Sequence, residues 1–259
     1  MLYIHENNLT NKIANNYKNC GTNIQDFYQN KYLPMRHSIL SLQFDEQHIA
    51  NFEIATTIFN KYYQELIEFS NANGITSQSK FASTFLEEIS AYLFKDLPDI
   101  ISGTFGVYNK GIYAGLKIDK NRHIDIIKKD VDFCIGKKVN VTIDGQSTIK
   151  LILPIVAVEV KTYLDATMFG EVKSSSKAIK SASPNSKTYV LMGYKNIAPE
   201  HIIAARQDSA LDEIFVLRAD ENSEIDYNAV YEYWKEITDS ISQLTSDVEI
   251  HVPGRLLKP

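Results

Sequence analysis

From Phe52 to Ile67 the apolar residues recur at helical spacing, which predicts an amphipathic helix, and Asn71-Ala72-Asn73-Gly74 closes it. Ser77 or Ser79 then caps a second helix, about Ser79 to Phe94. On that helix Phe81, Ala82, Phe85, Leu86, Ile89, Tyr92 and Leu93 fall within one stripe at about 100° per residue. Glu88 lies on the edge of this stripe and Glu87 projects away from it; Asp96-Leu97-Pro98-Asp99 stops the helix. From Gly111 onward the period shortens to two, and strands are expected at Gly111 to Ile118, Lys129 to Ile135, Pro154 to Tyr163, Thr188 to Met192 and Glu213 to Arg218. Asp144-Gly145, between two β-branched runs, signals a hairpin. Asp165 is placed to cap a helix from about Ala166 to Ser181, with Met168, Val172, Ser175, Ser176 and Ile179 inward and Lys173, Lys177 and Lys180 beside them. A last amphipathic helix runs from Tyr227 to Leu244.

This order predicts an α/β fold in which a mixed sheet lies between helices. A mainly helical N-terminal region is expected over residues 1–77, the core over 78–220, and a C-terminal helix packed on it over 221–259. A chain of 259 residues can bury a sizeable interior, and 44% hydrophobic with 23% charged residues excludes disorder. No apolar run reaches the roughly 18 residues of a membrane span, and no secretory signal is visible. With only Cys20 and Cys134, there is no disulfide framework or cysteine zinc site; a cytoplasmic protein without a membrane partner is expected. The net charge of -5 hides an asymmetry: residues 110–187 carry 14 Lys/Arg against 8 Asp/Glu, a basic segment suited to phosphates or to a solvated face. The eight asparagines before Lys31 suit turns better than base reading.

The chemistry concentrates on Pro154 to Tyr163. Alternation puts Ala157, Glu159, Lys161 and Tyr163 on one face and Val156, Val158 and Val160 on the other. Upstream, Asp130, Asp132 and Cys134 share one face while Val131, Phe133 and Ile135 share the other. Pairing the two strands would gather carboxylates beside one ammonium. Magnesium takes hard oxygen ligands and keeps several waters, so Asp132, Glu159 and the Val160 carbonyl would suffice, with Lys161 supplying positive charge near an attacked phosphodiester. Asp130 is the rival to Asp132, and thiolate is too soft for magnesium, so Cys134 reads as core. A second Glu-x-Lys, Glu171-Val172-Lys173, falls in a helical pattern and reads as surface charge.

The succession of glutamate helix, strand, Asp132 strand, Glu159-Val160-Lys161 strand, helix and strand resembles the PD-(D/E)XK nuclease superfamily. Over residues 78–218, Phe81-Ala82-Ser83, Glu88, Lys129-Asp130-Val131-Asp132, Val158-Glu159-Val160-Lys161-Thr162, Lys180-Ser181, Pro184 and Asp212 to Arg218 resemble type II restriction endonucleases of the BbvCI kind, a branch that includes DdeI-like enzymes. The resemblance implies magnesium-dependent cleavage of double-stranded DNA at short sites around a C-T-N-A-G core, manganese substituting. It implies Asp132, Glu159, Lys161 and Glu88 as catalytic residues, and Asp132, Glu159, Val160 and Glu88 around the metal. Val131 stands where many superfamily members have proline. The expected partners are duplex DNA, a second subunit in a homodimer or a related one in a heterodimer, and a cognate DNA methyltransferase. The rival functions are a repair or recombination nuclease of the same fold, and a non-catalytic DNA-binding or assembly module whose charges form a structural ion-pair network.

Overall fold

The computed structural model describes residues 2–142, 148–206 and 210–245. The N-terminal part is helical throughout: α1 (Ile4–Ala14), α2 (Gly21–Phe27), α3 (Leu33–Leu40) and α4 (Ala50–Ala72) precede α5 (Phe81–Leu93) and the short α6 (Pro98–Ile101). Then come β1 (Gly106–Tyr108), β2 (Ile112–Ile118), β3 (Ile124–Lys129), β4 (Phe133–Val141) and β5 (Ile149–Leu164). The chain finishes with α7 (Ala166–Ala182), β6 (Lys187–Lys195), α8 (Pro199–Arg206), β7 (Glu213–Val216) and α9 (Tyr227–Thr245). Among the described residues no helix is long and apolar enough to cross a membrane.

β5 organises the sheet. Its 16 residues pair antiparallel with β4 along one side, while the other side takes β2 at Ile152 and then β6, parallel, from Val156 onward. β1 and β3 complete the sheet beyond β4 and β2, and β7 continues it beyond β6. β4 and β5 pair antiparallel along their length, with Val141 facing Ile149, and the expected Asp144-Gly145 turn lies outside the described residues. A bulge after Ile135 sets Gly136 opposite Pro154, and a side chain on Gly136 would strike the Leu153 carbonyl at 2.5 Å.

The predicted face partition holds. Val156, Val158, Val160, Phe133 and Ile135 join the main core with α5, while Cys134 and Ala157 pack with Ile179 of α7 on the other face. Asp165 caps α7, its Oδ1 accepting from the Met168 amide at 2.8 Å. The predicted strand from Lys129 to Ile135 is broken instead: β3 ends at Lys129, Asp130 to Asp132 form a connection, and β4 begins at Phe133. Asp130 Oδ1 accepts from the Gly111 amide at 2.9 Å, which anchors that turn.

The first four helices share one core with the sheet, through Leu9, Ile24, Tyr32, Phe52, Phe59 and Tyr62 against Phe85, Ile89 and Tyr92. At the centre is His5, fully buried, with Nδ1 at 3.0 Å from Thr84 Oγ1 and Nε2 at 2.7 Å from Tyr62 Oη. Burial alone pulls its pKa from 6.5 down to about 3. Below pH 6.5 the unfolded chain takes up a proton that the folded one refuses, so this group removes stability as pH falls, by up to about 1.4 kcal/mol per pH unit. Urea titrations between pH 6.5 and 4 are expected to show that decline, and His5→Gln is expected to flatten it; equal slopes in the two proteins would refute the assignment.

Candidate active site

Three side chains meet where β4 runs out against β5. The ladder between the two strands ends at Phe133 opposite Val158, so beyond it β5 has a free edge on that side. Asp132, on the connection just before β4, fills the gap: its Oδ2 accepts from the Val160 amide at 2.7 Å. In an extended strand the N–H and C=O of one residue point to the same side, so the Val160 carbonyl faces this gap too. Glu159 and Lys161, two residues apart, project from the face that carries α7. The Lys161 ammonium stands 3.4 Å from Glu159 Oε2 and 3.6 Å from Asp132 Oδ2. Ser175 of α7 donates to Glu159 Oε1 at 2.8 Å and holds that carboxylate in place. Asp132 and Lys161 keep about a quarter of their side chains in solvent, at 28% and 27%. The cluster is therefore walled by protein yet open to a substrate.

Its electrostatics are those of a site short of positive charge. Burial raises the Asp132 pKa, and the neighbouring Glu159 adds to the rise against Lys161 and the Val160 amide, which lower it. Burial works against the Lys161 ammonium, but Asp132 and Glu159 more than offset it and the pKa rises. Lys161 is thus held as a cation and hydrogen-bond donor. A further carboxyl comes from α5. Burial, then Asp132, push the Glu87 pKa up to about 8, with Glu159 adding and Lys80 and Lys161 opposing.

Glu87, not Glu88, is the α5 acid that senses the cluster. The Glu88 side chain is fully buried on the opposite side, where it accepts from the His5 amide at 2.7 Å, the Glu6 amide at 3.2 Å, Tyr32 Oη at 2.7 Å and Tyr92 Oη at 2.6 Å. The expectation that Glu88 joins the site is therefore corrected. The stripe edge on which Glu88 lies faces α1, because the N-terminal helices cover that flank of α5. The signal for Glu87 was its polar position: an acid on an apolar stripe is buried with its partners, whereas an acid off the stripe is free to face a charged site.

The other predicted candidates are distributed as follows. Asp130 serves the Gly111 turn, outside the cluster. Cys134 is a buried core thiol, its pKa raised by burial. Arg36 is engaged by Glu6 at 2.6 Å and lies over the Tyr3 ring, away from the cluster residues. Glu171 is exposed on α7.

The residues present fit a hard divalent cation. Among the described residues no group of three His, Cys, Asp or Glu side chains forms a metal cage. Two carboxylates with a backbone carbonyl nevertheless match the partial oxygen set that magnesium completes with water. The fit lies in the donor set itself, hard carboxylate oxygens of Asp132 and Glu159 held in place by the Val160 amide and Ser175 and still partly open to water.

The family model of the Bpu10I restriction endonuclease matches residues 78–248 of the chain. The solved structure of the native BbvCI A2B2 tetramer, 18% identical in sequence, aligns with a TM-score of 0.71 over 92% of this chain and 97% of that one, which shows a common fold. No curated protein sequence matches the chain significantly.

The two α5 acids are separable by stability measurements on metal-free protein. Glu88→Gln is expected to lower the unfolding free energy by about 2–3 kcal/mol, because buried donors lose a charged acceptor. Glu87 behaves in the opposite sense: between the ordinary carboxylate range and about pH 8 the folded chain holds a proton that the unfolded chain has lost, so stability falls as pH rises through that window. Glu87→Gln is expected to abolish that fall and to be the more stable protein at pH 8.

Proposed function

The chain belongs to the Bpu10I restriction endonuclease family, and we propose that it is a type II enzyme that hydrolyses DNA phosphodiester bonds at a specific duplex sequence with magnesium, manganese substituting. The observation that carries this reading is the convergence of Asp132, Glu159 and Lys161 at the end of the β4 ladder. Asp132, Glu159 and the Val160 carbonyl would hold the cation. When bound, the cation supplies positive charge to the scissile phosphate and acidifies a coordinated water.

The chain's own groups do the rest. Lys161, kept cationic by the two carboxylates beside it, donates to the attacking water and to a non-bridging phosphate oxygen, orienting the one and offsetting charge on the other. As the water oxygen bonds to phosphorus, its proton passes to solvent and a P–O bond to the leaving oxygen breaks. Ser175 fixes the Glu159 carboxylate and the Val160 amide fixes that of Asp132, so neither must reorganise during the step. Glu87 is the helix acid of this site in place of Glu88, and as a carboxylate it would add a further oxygen acceptor beside the cation.

One such site cuts one strand, so cleavage of both requires two subunits. The BbvCI relative is an A2B2 tetramer, and for this chain we take a second copy or a related subunit as the partner, with residues 1–77 contributing to recognition or assembly and a methyltransferase protecting host DNA.

Asp132→Ala and Lys161→Ala are each expected to slow magnesium-dependent cleavage by about 10²–10³-fold, while binding to duplex DNA in calcium persists. Full-rate cutting by either variant would remove the site assignment. If the wild-type chain cut no DNA, the ion-pair cluster would be structural; if it cut branched or damaged DNA without regard to sequence, it would be a repair nuclease.

A further inference from the structure

Beside the active site lies a groove of about 510 Å³ between α1, α5 and the β1–β2 connection. Its walls include Asn7, Asn8, Asn11 and Asn15 of the α1 segment, Asn109, Lys12 and Lys110. In a chain of net charge -5, the groove has lysines and no acidic residue. Most of these asparagines are not the turn formers that composition suggests. Asn7, Asn8 and Asn11 lie within α1, and only Asn15, Asn16 and Asn19 fall in the turn that follows.

Asn7, Asn11 and Asn15 repeat every four residues and so stand on one face of the helix. All three are exposed. Asn8 is used internally, its amide donating to the Ser79 carbonyl at 3.0 Å, and Asn15 donates to the Asn11 carbonyl at 2.9 Å. The side-chain amides of Asn7 and Asn11 make no hydrogen bond among the described residues. Nothing in the fold requires amides there: alanine is the better helix former, and the helix is anchored from its other face by Leu9 and His5.

The groove is also tied to the catalytic cluster. Thr84 of α5 lines it, three residues before Glu87 on the same helix. On the other wall, the Asn109 carbonyl accepts from the amide of Val131, the residue before Asp132. The groove wall at Asn109 is thus joined by one backbone hydrogen bond to the segment that carries Asp132.

We propose that the Asn7/Asn11 face of α1 is a base-reading surface that enters the major groove of duplex DNA, with Asn11 and Asn7 recognising adenine edges and Lys12 and Lys110 contacting phosphates. The chemistry matches: an asparagine amide donates to N7 and accepts from N6 of adenine, a pairing open only in the major groove, which is wide enough for a helix. From Asn7 to Asn15 the helix rises about 12 Å, the span of three to four base pairs. Neutral amides flanked by lysines suit sequence reading, whereas a surface built only for phosphate would be dominated by cations. This inference rests on the assignment of the chain as a DNA-cutting enzyme and adds the residues that choose the site.

The test is selection of randomised duplexes by the full chain in calcium, which measures sequence preference apart from cleavage, followed by affinity for the selected duplex with adenines replaced singly by 7-deazaadenine. Wild type is expected to enrich an adenine-containing site. Asn11→Ala is expected to lose about five- to a hundredfold preference at one adenine while keeping the others, and to become indifferent to 7-deaza substitution at that position. Lys110→Ala should weaken binding evenly across sequences. An unchanged preference in the Asn7→Ala/Asn11→Ala double variant, an even loss over all sequences in that variant, or no enrichment by wild type would each overturn the inference. A wild-type chain that selects the site and loses it as described, yet cuts nothing in magnesium, would support this reading and overturn the catalytic one.

Discussion

A single buried carboxylate joins the two halves of this protein. Glu88, on α5, receives the first amides of α1 and two tyrosine hydroxyls, and so acts as an N-terminal cap supplied from another helix. α1 has no side-chain cap of its own at Tyr3, and its exposed N–H groups and positive dipole end would otherwise be buried without an acceptor. Burial raises the Glu88 pKa while the four donors oppose the rise, so the charge is tolerated only because the cage is complete. Since α5 also carries Glu87 toward the acidic cluster and Thr84 to the asparagine groove, the contact that seats α1 ties that groove and that cluster to one helix.

The acidic cluster depends on a strand that ends early. Because β4 begins only at Phe133, the backbone of β5 at Val160 is left for a side chain to satisfy, and Asp132 does so. That places a carboxylate beside the Glu159 and Lys161 face without a third strand in the way. The irregular connection from Asp130 to Asp132 costs ladder hydrogen bonds, and in exchange aims one acid into the site and the other at the Gly111 turn. Charges that would be out of place on a central strand are accommodated because they neutralise one another in part and remain partly hydrated.

The same economy is visible in how neighbouring residues divide their work. Glu87 and Glu88 differ by about 100° around one helix, enough for one to sense the Asp132 cluster and the other to sit in a structural cage. Asn7 and Asn8 differ in a similar way: the half-buried Asn8 donates to the Ser79 carbonyl, while the Asn7 side chain is exposed.

The sequence by itself determined the central strand, its two faces, the Asp165 cap, the main helices and the trio Asp132, Glu159 and Lys161, because each is written in a local period or in charges placed against that period. Alternation is enough to say that Val156, Val158 and Val160 share a core and that Glu159 and Lys161 share the opposite face. Only the tertiary structure decided what each face meets. Whether Glu87 or Glu88 turned toward the cluster depended on the N-terminal helices covering one flank of α5, and periodicity reports which side of a helix is apolar without saying what packs there. The break before Phe133, which separates Asp130 from Asp132, depended likewise on a ladder whose length is set by the partner strand. The asparagines looked like turn formers because composition alone weighs the residue type; placing three of them inside α1 required the buried cage around His5 and Glu88 that holds the helix down.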